Sequence, residues 1–147
     1  MSTKEQARRR NPILWLALIA LVVGILIIVA VIIGYMAFRS SRSMPLSVPI
    51  YPDAQQVGDA VLGTGHDRLR YVSSSPAEEV GEYYNREIGC TRLDNSEAGP
   101  DMPAFQYTCL ADGSSLFVTQ YTTVIVQPGV GEYAGQTVID MERVWGQ

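Results

Sequence analysis

Lysine occurs once in these 147 residues, at Lys4, and histidine once, at His66. A single imidazole excludes His-paired metal sites, and a haem bound through it would need a second ligand. Cysteine occurs twice, at Cys90 and Cys109, too few for an iron–sulfur cluster, and there is no C-x-x-C-H haem attachment motif. No charged residue lies between Ile13 and Phe38, so that stretch has no side chain with which to relay protons or ions. Cations are also scarce after residue 43, with Arg68, Arg70, Arg86, Arg92 and Arg143 set against fourteen acids. That segment is near −9 while residues 1–43 are near +5. An acidic domain without lysine excludes nucleic acid as a partner and is repelled by anionic lipid. Its charge serves solubility or, more sharply, a cationic partner.

What is present begins with "ILWLALIALVVGILIIVAVIIGYMAF", a 26-residue apolar run from Ile13 to Phe38. As a helix it would be about 39 Å long, against a hydrocarbon core of about 30 Å. A cleaved export signal has an apolar region of only about 7 to 15 residues and ends in small residues. This run ends in Tyr35-Met36-Ala37-Phe38-Arg39, and no cysteine follows for lipid attachment. It reads as a retained single-pass signal-anchor helix over residues 12–38. Trp15 and Tyr35 lie 20 positions apart, about 30 Å along a helix, and are placed as the two interfacial anchors. Lys4, Arg8, Arg9 and Arg10 precede the run, and Arg39 and Arg42 follow it. Four against two places tail 1–11 in the cytoplasm and residues 44–147 outside it, in a periplasmic or extracellular space.

Small residues mark one face of this helix. Ala17, Ala20, Gly24, Ile27, Val31 and Gly34 recur at three- and four-residue steps, and Ala20/Gly24 and Ala30/Gly34 are small-xxx-small pairs of the kind that let helices approach closely in lipid. The alternative is the ordinary Gly and Ala content of a helix that touches lipid alone.

Residues 39–52, "RSSRSMPLSVPIYP", carry three prolines and four serines and read as a short stiff linker. Residues 53–147 then form one small domain. "AQQVGDAVLG" reads as a first strand, turning at Gly63-Thr64-Gly65 into "DRLRYVS", which sets Leu69, Tyr71 and Ser73 against Arg68, Arg70 and Val72. "SSSPAEEVGEYYNREIGC" predicts a helix over about 76–88, with Ser75 as N-cap, Pro76 first, Glu78 closing a capping box and Gly89 as C-cap. Ala77, Val80, Tyr84 and Ile88 supply its apolar face. "CTRL", "AFQYTCLA", "SSLFVTQYTTVIVQ" and "QTVIDMERVW" read as strands, with a hairpin turn at Asp112-Gly113. In the last strand Thr137, Ile139, Met141 and Trp145 face one way, Asp140 and Glu142 the other. The fold class is α+β: a small antiparallel sheet with one packed helix, in the order β-β-α-β-β-β-β, behind one transmembrane helix.

Cys90 and Cys109 allow one pairing, and an exported compartment favours a disulfide, which would close about 20 residues and stabilise by roughly 3 kcal/mol. Two buried free thiols are the alternative. His66 and Asp67 could polarise Ser73, Ser74 or Ser75, yet Ser75 is assigned to a helix cap and His66 to a glycine-rich turn. "GTGHDR" lacks the Walker spacing and lysine. Asp94, Glu97 and Asp101 surround a loop without the spacing of an EF-hand. No catalytic, cofactor or metal residues are assigned.

"IYPDAQQV", then "SSSPAEEVGEYYNREIGC", then a run of strands resembles small single-pass envelope proteins of bacteria, among them accessory subunits of membrane electron-transfer complexes such as alternative complex III. The resemblance implies a non-catalytic accessory subunit of an electron transport complex, with integral membrane subunits and the lipid bilayer as partners. A membrane-tethered module binding a soluble partner or ligand is the second reading.

Overall fold

The computed structural model describes residues 12–97, 99, 101–115 and 118–146; the tail 1–11 lies outside the described residues. The chain divides into two units, at Phe38/Arg39. The first is built on helix α1 (Pro12–Ser41), 30 residues long with none buried. It is long and apolar enough to cross a bilayer. It runs three residues past Phe38, because Arg39, Ser40 and Ser41 contain no helix breaker and Arg39 favours the negative end of the helix dipole.

The second unit is α+β. Its elements are β1 (Gln55–Gln56), β2 (Val61–Gly63), β3 (His66–Ser73), α2 (Ala77–Ile88), β4 (Cys90–Asp94), β5 (Phe105–Asp112), β6 (Gln120–Pro128), a 3-10 turn (Gly131–Tyr133) and β7 (Thr137–Trp145). One antiparallel sheet carries the order β1-β3-β7-β6-β5-β4, with β2 also on β3. The C-terminal strand therefore lies between β3 and β6, and the chain passes from β3 to the far edge through α2.

Within the sheet and its helix, several details differ from the sequence reading. The first strand is split: Gln55 pairs with Val72, but Val61 pairs with Arg68, so Gly58, Asp59 and Ala60 bulge opposite Leu69. Gly58, at φ +70°, makes that bulge. Ser75 does not cap α2. Pro76 holds the capping position with φ −58° and ψ 143° and no side-chain bond. The Asp53 carboxylate instead collects the serine hydroxyls, from Ser73 at 2.6 Å, Ser74 at 2.9 Å and Ser75 at 3.5 Å, and such charge-assisted bonds are stronger than neutral ones and orient the hydroxyls towards Asp53. The β5–β6 ladder does not turn at Asp112-Gly113: Gly113 N–H donates to Gln120 O at 2.8 Å, and Ser115 and Val118 still bridge. Trp145 lies beyond the core edge and is half-buried, while Val144 is buried.

Alternation builds the core as expected. Leu69 and Tyr71 of β3, Phe105, Tyr107 and Cys109 of β5, Val124 and Val126 of β6, and Ile139 and Met141 of β7 form one buried face under Ala77, Val80 and Tyr84 of α2. Each large side chain so removed from water contributes roughly 1.5–3 kcal/mol.

The segment read as a linker is packed into this unit. Val48 is buried in the core, Gln120 Nε2 donates to Met44 O at 2.9 Å, and Thr122 Oγ1 donates to Leu46 O at 3.0 Å. Arg42 bonds the Ser115 hydroxyl. Further on, Tyr51 N–H donates to the Tyr84 hydroxyl at 3.2 Å. Prolines at 45, 49 and 52 deny this segment the N–H groups of a ladder, so two side chains reach for its carbonyls instead. Residues 42–51 thus form a strap beside α2.

Tyr84 is fully buried, and burial pushes its hydroxyl up to about 12. The folded state holds the neutral phenol, so this contribution is complete below pH about 10 and lost as pH rises towards 12. Two pKa units correspond to about 3 kcal/mol. Urea midpoints should therefore fall more steeply above pH 10 in the wild type than in Tyr84→Phe. Tyr84→Phe should itself lose about 1 kcal/mol at pH 7, because Tyr51 N–H loses its acceptor. Identical alkaline slopes would assign the loss to other groups.

Candidate interaction surfaces

The face predicted on α1 lies within an arc of about 100° at 100° per residue. Ala17, Ala20, Ile27, Val31 and Gly34 are exposed and Gly24 is partly so. Nothing lies within 4 Å of where a Cβ would sit on Gly24 or Gly34. Among the described residues, close packing therefore gives no reason for glycine at either position. Trp15 and Tyr35 are both half-exposed, at 50% and 47%.

In the second unit the cysteines fall directly opposite each other on β4 and β5 and are joined, Sγ to Sγ, at 2.01 Å. This ties edge strand β4 to the sheet. Beside it, Arg92 lies 4.3 Å over the Phe105 ring and 2.9 Å from Asp94. A cation on the edge strand both shields the aromatics and discourages pairing with another chain.

The hydrolase-like grouping is not assembled. His66 and Ser73 stand at opposite ends of β3, about 23 Å apart at the usual rise. His66 Nε2 is 2.9 Å from Glu142 Oε1, Asp67 is held by Arg143, and the serines belong to Asp53. Those bonds, Ser73 first, hold the Asp53 carboxyl below its ordinary value. In the acidic loop Asp94 is paired with Arg92 and Glu97 N–H is bound by Asn95. Among the described residues no three His, Cys, Asp or Glu side chains converge as a metal site would require.

The open face of the sheet carries a charge ladder. Arg70 stands opposite Asp140 and Arg68 opposite Glu142. Arg70 grips Asp140 with two bonds, at 2.6 and 3.0 Å, and Glu142 takes Arg68 at 3.4 Å besides His66. The His66 bond, aided by the Arg68 charge, keeps the Glu142 carboxyl low. Four of the five domain arginines are matched to acids: 68, 70, 92 and 143. The remaining negative charge shows most plainly on α2, where Glu78, Glu79, Glu82 and Glu87 are exposed.

Two groupings escaped the sequence reading. Asp53 with three consecutive serines is one, since nothing in sequence links residue 53 to residues 73–75. The buried pair Asp67–Arg143 is the other. It had a signal: counting back by two from Ser73, Tyr71 and Leu69 puts Asp67 on the apolar face.

No protein-family model, curated protein or solved structure matches this chain.

Proposed function

We propose that this protein is a non-catalytic accessory subunit of a larger membrane complex, of the electron-transfer kind that its sequence resembles. α1 is its anchor and its packing element, with the N-terminus in the cytoplasm and the acidic domain on the outer face. One observation carries the reading. α1 is apolar from Ile13 to Phe38, and its glycines face open space, so its close-approach positions have no use among the described residues. In lipid, such positions are used by another helix. Supporting it are the excess of basic residues before the span and a disulfide, which persists in an oxidising compartment.

The test is gentle solubilisation from the native membrane. The chain should migrate with a large assembly, not at its own mass. Gly24→Leu with Gly34→Leu should insert normally yet separate from that assembly in mild detergent. Each displaced contact costs on the order of 1 kcal/mol, so dissociation should rise about 30-fold for the pair. Leu26→Ala with Ile33→Ala, on the opposite side of the helix, should stay bound. Equal retention of the two double variants would reject helix packing and leave a tethered binding module, presenting its acidic α2 surface to a cationic partner.

A further inference from the structure

Strand β4 ends the sheet, and among the described residues no strand pairs with its outer edge. Thr91, Arg92, Leu93 and Asp94 are all exposed. Two bonds show which backbone groups face outward. Cys90 N–H donates to Asn85 Oδ1 at 3.0 Å and not to β5, whereas Asn95 N–H donates to Ala104 O at 2.8 Å, on the β5 side. Hydrogen-bonded and non-hydrogen-bonded pairs alternate along an antiparallel ladder. Arg92 and Asp94, in phase with Cys90, therefore turn both N–H and C=O outward, while Thr91 and Leu93 bond β5. The side chains divide the same way. Arg92 and Asp94 stand opposite Tyr107 and Phe105 on the core side of the sheet. Leu93 stands opposite Gln106 on the open face and is half-exposed.

We propose that this edge pairs with the same edge of a second copy of the chain, β4 antiparallel to β4 about a two-fold axis at Leu93. In that register Arg92 faces the second copy's Asp94, and Asp94 faces its Arg92. Each such pair exchanges two backbone bonds and sets opposite charges side by side. The two Leu93 side chains meet in a non-hydrogen-bonded pair, where side chains lie closer. Other registers fail. Centring on Arg92 or on Asp94 sets like charges together. Centring on Thr91 sets Arg92 against Cys90, whose N–H is held by Asn85. An axis between two residues sets outward-facing groups against inward-facing ones. An edge cation turns away strands that bring no acid opposite it, and this strand carries its own acid two residues on. Arg92 Nε already lies 2.9 Å from Asp94 Oδ1 within the chain, so pairing exchanges one carboxylate for its twin. The disulfide ties β4 to the sheet at Cys90, so the edge is ordered before it binds. Domains near −9 repel each other at longer range, but salt screens exposed charges beyond about 8 Å. The surface lies outside α1 and does not rest on helix packing.

The experiment uses the full chain in mild detergent, carrying Leu93→Cys. The native cysteines are joined to each other, so the new thiol has no partner in its own chain. Mild oxidation should link two chains through position 93, where Cα atoms in the proposed register stand about 4.5 Å apart. Leu110→Cys is the control. It is similarly exposed on the same open face, but one strand in from the edge. Leu93→Cys should cross-link at least about 10-fold faster, because only position 93 lies within bridging distance. On the Leu93→Cys background, Asp94→Arg and Arg92→Asp should each slow the reaction about 10-fold by setting like charges opposite. Mixing those two variants should restore it between unlike chains, which a variant that had merely unfolded could not do. Should Arg92→Asp unfold by losing its stack on Phe105, a second comparison leaves Arg92 in place. Asp94→Arg chains should link to chains with the native charges at an intermediate rate, with one pair matched and one opposed. Equal rates at positions 93 and 110 overturn the proposal, and are what chains gathered through α1 alone would give. Charge reversals without effect, or no recovery on mixing folded variants, overturn it as well.

Discussion

Gly81→Ala should destabilise the domain by about 2–4 kcal/mol, although alanine is the better helix former by about 1 kcal/mol. Gly81 lies in the middle of α2 and is buried. An added Cβ would meet the Tyr107 ring at 2.3 Å from Cδ2, 2.4 Å from Cε2 and 2.6 Å from Cγ. Ordinary carbon contacts lie near 3.5–4.0 Å, so something must move by about 1 Å. The ring cannot yield easily. It is buried, it packs edge-on against Phe105 at 6.0 Å, and its hydroxyl accepts from Arg92 at 3.4 Å. The helix must lift instead, loosening Val80 and Tyr84, both fully buried. Overpacking of this kind costs about 1–3 kcal/mol and sometimes more. Urea midpoints give the loss, and Tyr107→Leu in the Gly81→Ala background should recover part of it by making room. A neutral or stabilising Gly81→Ala would show that this contact does not set the spacing between helix and sheet.

That contact also shows where sequence reasoning reaches and where it stops. The apolar face of α2, Ala77, Val80 and Tyr84, follows from three- and four-residue spacing, and the structure buries all three. Alternation likewise places Phe105, Tyr107 and Cys109 on one face of β5. Local rules can state which face is buried. They cannot state what lies opposite, so a glycine in mid-helix carries no visible cause until Tyr107 is seen against it. The same limit explains Ser75: its capping motif is locally sound, but Asp53 comes from outside the local window and takes the hydroxyl. The strap is the strongest instance. Prolines correctly deny residues 45, 49 and 52 a place in a ladder, yet a segment without ladder bonds can still be docked by side chains of β6. The charge ladder was half legible. Arg68 and Arg70 alternate out of β3, and Asp140 and Glu142 alternate out of β7. Only the pairing of β3 with β7 matches them. On α1, composition and spacing define a face, and nothing in the local pattern states what lies against it.

Arg143→Met should cost more than any other single substitution of a domain charge, about 3–5 kcal/mol. Asp67 is 3% exposed and on the core side of β3, and Arg143 holds both its oxygens, at 2.7 and 2.5 Å. Taking the guanidinium away leaves a carboxylate buried without its counter-ion, the costly half of a broken buried pair. The reverse change should cost less. The Arg143 side chain keeps 24% of its exposure, so in Asp67→Asn the guanidinium can turn towards water, for a loss of about 1–2 kcal/mol. Replacing both, as Asp67→Leu with Arg143→Met, removes the desolvation penalty together with the attraction, and the double variant should return to within about 1 kcal/mol of the wild type. The expected order of urea midpoints is therefore wild type and double variant together, then Asp67→Asn, then Arg143→Met. The pair does a second thing that stability alone would not reveal. It joins the directly opposed residues of β3 and β7, the contact that brings the C-terminal strand into the middle of the sheet. A slip by one residue would turn the Arg143 side chain to the other face and leave Asp67 buried alone, so the ion pair penalises wrong registers more than it rewards the right one. The double variant, stable but without that penalty, should refold with an added slow phase or a second set of β7 amide resonances. A double variant as unstable as the sum of its two single changes would show that the pair stabilises the sheet outright and does not serve to select its register.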